Sequence, residues 1–275
     1  MCGTRASFPC RAGRSAVLLI IAAVALVCRA GACAADEGGG ADAAITEIDR
    51  LWAERASPDA VERAVTLGAQ SVAQHPSSYD LAWRLARAYW RKGDLAADKP
   101  HRRDTYATAR RYAEAAVKLD PERVEGHCYY ALTTGDYGGT LGLVGAATEG
   151  IGSIFEREIK RAYDINRDFD NGSPMLALGR YYFELPWPLR DLNESRRYLE
   201  ELKQRHPDVL LGRLYLAETD HVLGDDAAAR QELDYVLGHD PMPGRAVEER
   251  DLKSDAEQRM REWFGATAAP PLGSR

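Results

Sequence analysis

Six single histidines, one mid-chain cysteine and a short run of alternating acids are the groups in this sequence with chemistry to offer. His75, His101, His127, His206, His221 and His239 stand apart, with no His-Glu-x-x-His and no paired spacing that would hold zinc. They read as surface or helix-end residues. Asp164-x-Asn166-x-Asp168-x-Asp170 has the alternating oxygen donors of a calcium loop. Phe169 stands where that loop needs glycine, and Met175 where it needs a bidentate glutamate. A helix end followed by a turn accounts for it better. Cys128, beside Tyr129 and Tyr130, reads as helix core rather than nucleophile, and no Gly-x-Ser-x-Gly elbow occurs. Gly135, Gly138, Gly139, Gly142, Gly145, Gly150 and Gly152 lack both the preceding strand and the Gly-Lys-Ser/Thr of a phosphate loop. Close backbone packing, or an apolar loop at the mouth of a pore, suits them instead. Glu184 and Asp191 form a carboxylate pair of a kind that any helical chain with 42 acidic residues offers many times. No metal, no cofactor and no catalytic set emerges, and the expectation is a non-enzyme that works by binding.

Towards the N-terminus, Arg5, Arg11 and Arg14 precede an apolar run from Ala16 to Val27, followed by small residues up to Ala32. That is the layout of a secretory signal, too short to span a bilayer. Residues 1–32 are therefore expected to be removed. Ala30-Gly31-Ala32-Cys33 resembles a bacterial lipoprotein box, with Cys33 then the lipidated first residue; simple cleavage to a soluble protein is the alternative. Residues 33–43 read as a flexible tether, 44–265 as the folded domain and 266–275 as a disordered tail. Loss of four leader arginines takes the basic count from 36 to 32 against 42 acids, so the net charge moves from −6 to −10. A chain of that sign with no basic block is a poor partner for nucleic acid or for an anionic membrane.

From Ala44 onward the pattern is helical almost without interruption. Ser57-Pro58-Asp59, Asp120-Pro121-Glu122 and Ser173-Pro174 mark helix starts, each with an N-cap residue and proline at the first helical position. The pairs run 44–56 with 59–75, 78–92 with 103–119, 123–134 with 150–166, 174–184 with 192–205, and 209–223 with 226–239, before a last helix at 246–264. Leu85-Ala86-x-x-Tyr89 recurs as Leu178-Gly179-x-x-Tyr182, and Pro207 to Pro241 is a repeat of 34 residues. Gly224 and Ala229 sit where a tetratricopeptide repeat has its small residues. The interval from Pro76 to Pro121 is longer and implies an insertion at 95–106. The fold expected is all-α: a tetratricopeptide-like α-solenoid of about five hairpins with a C-terminal capping helix, in which each hairpin buries its apolar face on the next.

Binding residues follow from the first helices. Trp83, Arg87 and Trp90 form a stripe about 100° from the packing stripe of 78–92, matched by Leu176, Arg180 and Phe183, and by Leu214, Glu218 and His221. Facing a common groove, these stripes suit an apolar ligand carrying an acid group, or a partner helix; sandwiched between layers, they are core. Tyr137 in the glycine-rich pair and Tyr182 on the helix 174–184 join them as candidates. Trp187 is held between Pro186 and Pro188. It either plugs the gap between hairpins or closes the site.

The segment Gly179-Arg-Tyr-Tyr-Phe-Glu-Leu-Pro-Trp-Pro-Leu-Arg-Asp191, with Ser195-x-x-x-Leu199-Glu200 and Leu214-Tyr-Leu-Ala-Glu218, resembles the T component associated with tripartite ATP-independent periplasmic (TRAP) transporters, often called TatT. That resemblance implies a periplasmic, often lipid-anchored accessory protein of tetratricopeptide-like hairpins. It would form homo-oligomers, bind the transporter's periplasmic solute-binding subunit and channel a hydrophobic carboxylate-bearing ligand. The alternative is a general tetratricopeptide adaptor for envelope protein assembly.

Overall fold

The computed structural model describes residues 39–265, and these residues divide between two units, 1–43 and 44–275. Of the first unit only 39–43 are described. They are helical, where a tether was expected. The leader, Cys33 and the tail from 266 lie outside the described residues.

The second unit opens with α1 (44–53) and continues with α2 (Pro58–Gln74), α3 (Tyr79–Leu95), α4 (Lys99–Leu119), α5 (Val124–Thr148), α6 (Ile151–Asn166), α7 (Phe169–Glu184), α8 (Leu192–Arg205), α9 (Leu210–Leu223), α10 (Asp226–Gly238) and α11 (Leu252–Phe264). No strand occurs among the described residues. Helices adjacent in sequence are adjacent in space from α2 through α11. The chain is thus the stack of helical hairpins that the repeat pattern implied. The start of α2 is capped as expected, with Ser57 accepting from the Ala60 N–H ahead of Pro58. α4 starts earlier than expected, on Asp98, which accepts from the His101 N–H at 2.9 Å, and Ser173–Pro174 falls inside α7 rather than at its start. Asp120 instead turns back on Glu122 N–H, and α5 starts only at Val124.

Small residues pack α3 against α4: Ala86, Ala109, Ala113 and Ala116 have no exposed surface, and Ala86, Ala113 and Ala116 share one buried cluster with Trp83 and Tyr129. No insertion interrupts this pair. α3 runs on to Leu95 and α4 begins at Lys99, because Gly93 leaves room for the Tyr106 ring, which a Cβ there would meet at 2.3 Å. Tyr106 then donates its hydroxyl to Asp94 at 2.7 Å. The glycine-rich segment is likewise helix, not loop. Each helical glycine costs about 1 kcal/mol against alanine, and close contact offsets that cost: a Cβ at Gly138 would lie 2.5 Å from Ile151 of α6. Only at Gly142 (φ 76°) does α5 break. Another departure is the entry to α7, where Asp170, Asn171 and Gly172 are all left-handed, with φ of 48°, 56° and 83°.

The buried pair His127–Glu158 joins α5 to α6. His127 Nδ1 lies 2.6 Å from the Glu158 carboxylate, and Nε2 lies 2.9 Å from the Pro121 carbonyl. Both neighbours accept, so the doubly protonated ring satisfies both. Burial pulls the imidazole pKa down, but the Glu158 and Pro121 hydrogen bonds outweigh it and the net shift is upward from 6.5. Burial pushes Glu158 up, and the bonds from His127 and Arg157 bring it net below 4.5. The His127 contribution is complete below pH 6.5 and is lost as pH rises through the raised value; that of Glu158 is complete above pH 4.5 and is lost as pH falls. Melting temperature against pH should therefore show a decline on the alkaline side of pH 6.5 that His127→Gln lacks. An unaltered profile in that variant would mean the ring folds neutral.

Candidate functional site

The first helices of successive pairs face one lumen of about 1050 Å³. Trp52 on α1, Trp90 on α3, Leu132 on α5, Leu176 on α7 and Tyr215 on α9 each contribute to its wall, and Gly138, Gly139 and Gly142 give part of it no side chains at all. The stretch between α10 and α11 closes the open side. Arg55, at the end of α1, donates to both Glu248 oxygens at 2.7 and 2.8 Å and to the Gly244 carbonyl at 2.5 Å. Glu249 in turn accepts from the Leu211 N–H at the start of α9 and from Arg245. Segment 244–249 therefore bridges the first and last pairs.

Charge in the lumen is mostly spoken for. Arg180 pairs with Glu184 and Glu218, and Glu218 also holds Arg259 of α11. Arg245 is paired with Glu249 and Arg55 with Glu248. Asp170 and Asp136 are the exceptions: no cation among the described residues pairs with either, Asp170 accepts from the Ser173 hydroxyl at 3.2 Å, and Asp136, reachable from the lumen, accepts from the Trp90 indole N–H at 2.6 Å. The surrounding protein pushes the Asp136 carboxyl up to about 6, against the hydrogen bond from Trp90 and aided by the charge of Asp94. What the lumen offers a visitor is thus a largely apolar wall with two acids that no cation holds.

Of the residues expected to bind, Trp90 and Arg180 line this lumen. Trp83 and Arg87 lie behind it. Trp83 is buried and stacks on Tyr129 at 5.9 Å, while Arg87 is clasped by the Trp52 and Trp83 rings and by Asp49 at 2.7 Å. Tyr182 packs beside Tyr198, and its hydroxyl donates to Glu156. Phe183 lies between Arg180 and Arg190, and Tyr137 beside Arg110 and Glu149. Trp187 is 90% exposed and plugs nothing, although its neighbours Leu185, Pro186 and Leu189 form part of the lumen mouth. Asp168 is held by Arg205 and His206, and no cluster of three metal-ligating side chains occurs among the described residues. Cys128 is fully buried and burial raises its thiol, away from the thiolate that a nucleophile needs. Trp52, Arg55 and Asp136 were not singled out in the sequence; Trp52 has the apolar helix spacing of a first helix, but the partner of Arg55 lies 193 residues away.

The family described as "Regulator of microtubule dynamics protein 1-3" matches residues 44–187, more than half of the chain. The chain belongs to this RMD1-3 family. Among curated relatives, "Regulator of microtubule dynamics protein 3" of Mus musculus is 26% identical over 201 residues, covering 64% of this chain and 42% of the mouse protein. The protein of the same name from Rattus norvegicus is 24% identical, covering 66% and 41%. The chain thus spans about two fifths of the length of these relatives. A solved tetratricopeptide protein of Thermus thermophilus superposes with a TM-score of 0.58 at 16% identity, over 78% of this chain and 97% of that one. That likeness establishes the fold alone.

Membership of RMD1-3 overturns the TatT resemblance and what followed from it. The transporter-accessory role, the solute-binding subunit as partner, the channelled hydrophobic carboxylate, the implied homo-oligomer and the envelope adaptor all fall with it. So do the periplasmic location and its lipid on Cys33, since the relatives come from mouse and rat, which have no periplasm. The physical reason is that hairpin stacks reuse the same small-residue ridges and proline stops, so one short aromatic segment on such a background marks the architecture more than the family. No helix among the described residues is long and apolar enough to cross a membrane.

Proposed function

We propose that this chain is a non-catalytic interaction module whose lumen receives an apolar segment of a protein partner, and that through this contact it acts on microtubule dynamics, as the names of its relatives imply. The observation that carries the reading is the lumen itself: it draws on every first helix from α1 to α9, and its arginines are already neutralised by carboxylates. Apolar contact is then the main recognition the wall has to give, which suits an apolar segment laid along a helical groove.

Gly139 provides the test. It lines the lumen, sits in regular helix, and a Cβ there would meet nothing within 4 Å. Gly139→Trp should obstruct part of the lumen while leaving the fold intact, with helix propensity improved by roughly 0.5 kcal/mol. In a tubulin polymerisation assay the full chain should alter the rate of assembly or disassembly, and Gly139→Trp should reduce that effect about tenfold or more, the loss expected when a central anchor site is blocked. Equal activity of the two proteins would retire the lumen as the site. No effect from either would retire the microtubule role.

A further inference from the structure

The lumen wall carries more negative charge than it can settle from within. Its cations are Arg55, Arg91, Arg180 and Arg245, and each already holds a carboxylate, respectively Glu248, Asp94, Glu184 and Glu249. The acids left over on the wall are Asp136 and Asp170. Asp170 is occupied locally: it accepts from the Ser173 hydroxyl at 3.2 Å, and Arg245 reaches its backbone carbonyl at 3.5 Å. Asp136 has open space beside it. Gly139 lies one turn further along the same face of α5, and a Cβ there would meet nothing within 4 Å. On the α3 side, Trp90 donates its indole N–H to the Asp136 carboxylate at 2.6 Å. A carboxylate in largely apolar surroundings with one neutral donor is under-compensated. Its pKa, pushed up to about 6 by burial, reflects that shortage.

We propose that the segment received by the lumen carries a lysine or arginine, and that Asp136 takes its charge. The inference rests on the reading of the lumen as the seat of an apolar polypeptide segment. Charge complementarity selects the occupant. A guest carboxylate would meet Asp136 and the field of Asp94, and would find the arginines of the wall already engaged. A bare metal ion would find one carboxylate beside an indole, where calcium takes about six to eight oxygens. No cluster of three metal-ligating side chains occurs among the described residues. A basic residue within an apolar segment suits both parts of the wall. Its aliphatic stem lies against apolar surface while its head donates to the carboxylate. Gly139 lets the guest backbone come close enough for that reach.

The test uses the full chain and three labelled, end-blocked nonapeptides of leucine and serine that differ only in a central lysine, glutamine or glutamate. By fluorescence anisotropy the lysine peptide should bind about tenfold tighter than the glutamine peptide, the gain of one charge-assisted contact. The glutamate peptide should bind most weakly. Asp136→Asn keeps an acceptor for the Trp90 N–H, so its melting temperature should hold while the lysine and glutamine peptides become equal. Gly139→Trp should weaken both. Equal binding of the lysine and glutamine peptides by the natural chain, with both weakened by Gly139→Trp, would overturn the cation site and leave the lumen reading standing. A lysine preference that survives Asp136→Asn, full-strength lysine-peptide binding in Gly139→Trp, tighter binding of the glutamate peptide, or no binding of any peptide would overturn it too. The lumen reading itself stands or falls by the tubulin assay.

Discussion

Leu178→Ala should lower stability by about 3–4 kcal/mol, while Trp187→Ala, further along the same segment, should change it by less than about 0.5 kcal/mol. Leu178 has no exposed surface and packs with Cys128, Ala131, Ile159, Ala162 and Tyr198, so it touches α5, α6 and α8 at once. Neighbouring positions offer little collapse into the space it leaves, because Gly179 is already pressed on Leu199, whose nearest atom would lie 2.5 Å from a Cβ. Trp187 projects into solvent, and its removal strips surface already wet. Urea denaturation of the two variants measures both values. A Trp187→Ala loss near that of Leu178→Ala would mean the indole is buried in solution.

Asp49→Ala should cost about 3 kcal/mol, the lower end for breaking a buried ion pair because Asp49 itself keeps 41% of its side-chain surface. Its oxygens hold two arginines of α3, Arg84 and Arg87, and thereby tie α1 to the stack. Arg84 retains Asp80 at 3.0 Å when Asp49 is gone. Arg87 retains no carboxylate: it is buried, its Nε already lacks a partner, and the Trp52 and Trp83 rings at 4.4 and 4.8 Å and Tyr129 remain around it. Removing the stranded charge should therefore rescue the defect, and Asp49→Ala with Arg87→Met should return most of the lost stability. The comparison of single and double variants by denaturation decides it. A single variant within about 0.5 kcal/mol of the parent, inside the ordinary range for a surface change, would show that the surrounding aromatic side chains suffice to hold Arg87.

Helix content and pairing were open to sequence reasoning because they rest on local signals: apolar spacing, a serine before a proline, small residues at regular intervals. The errors of position came where a distant partner decides. Gly93 and Tyr106 lengthen α3 and α4 through a contact between them that neither helix shows alone. The glycines of α5 read as loop because their offset, Ile151 and Phe155 on α6, belongs to another helix. Trp83 and Trp90 lie two turns apart on one stripe, yet one stacks on Tyr129 in the core and the other reaches the lumen. A helical stripe gives a direction around one axis; the neighbour that occupies that direction is a property of the stack. The family reading failed for a related reason, since repeat architecture fills the sequence with signals that many unrelated hairpin proteins share.

Linear arrays of helical hairpins lose structure from their ends, because a terminal hairpin has one neighbour where an internal one has two. The bridge from Arg55 to Glu248, and from Glu249 to Leu211, gives the terminal pairs of this array each other as neighbours. In the one-dimensional lattice that describes such proteins, this amounts to joining the two boundaries. Fraying then has no starting point, and opening any pair must also disturb the bridge. Backbone amides of α1 and α2 should accordingly exchange with solvent at rates close to those of α9 and α10, as members of a single cooperative unit rather than as loose ends of a chain.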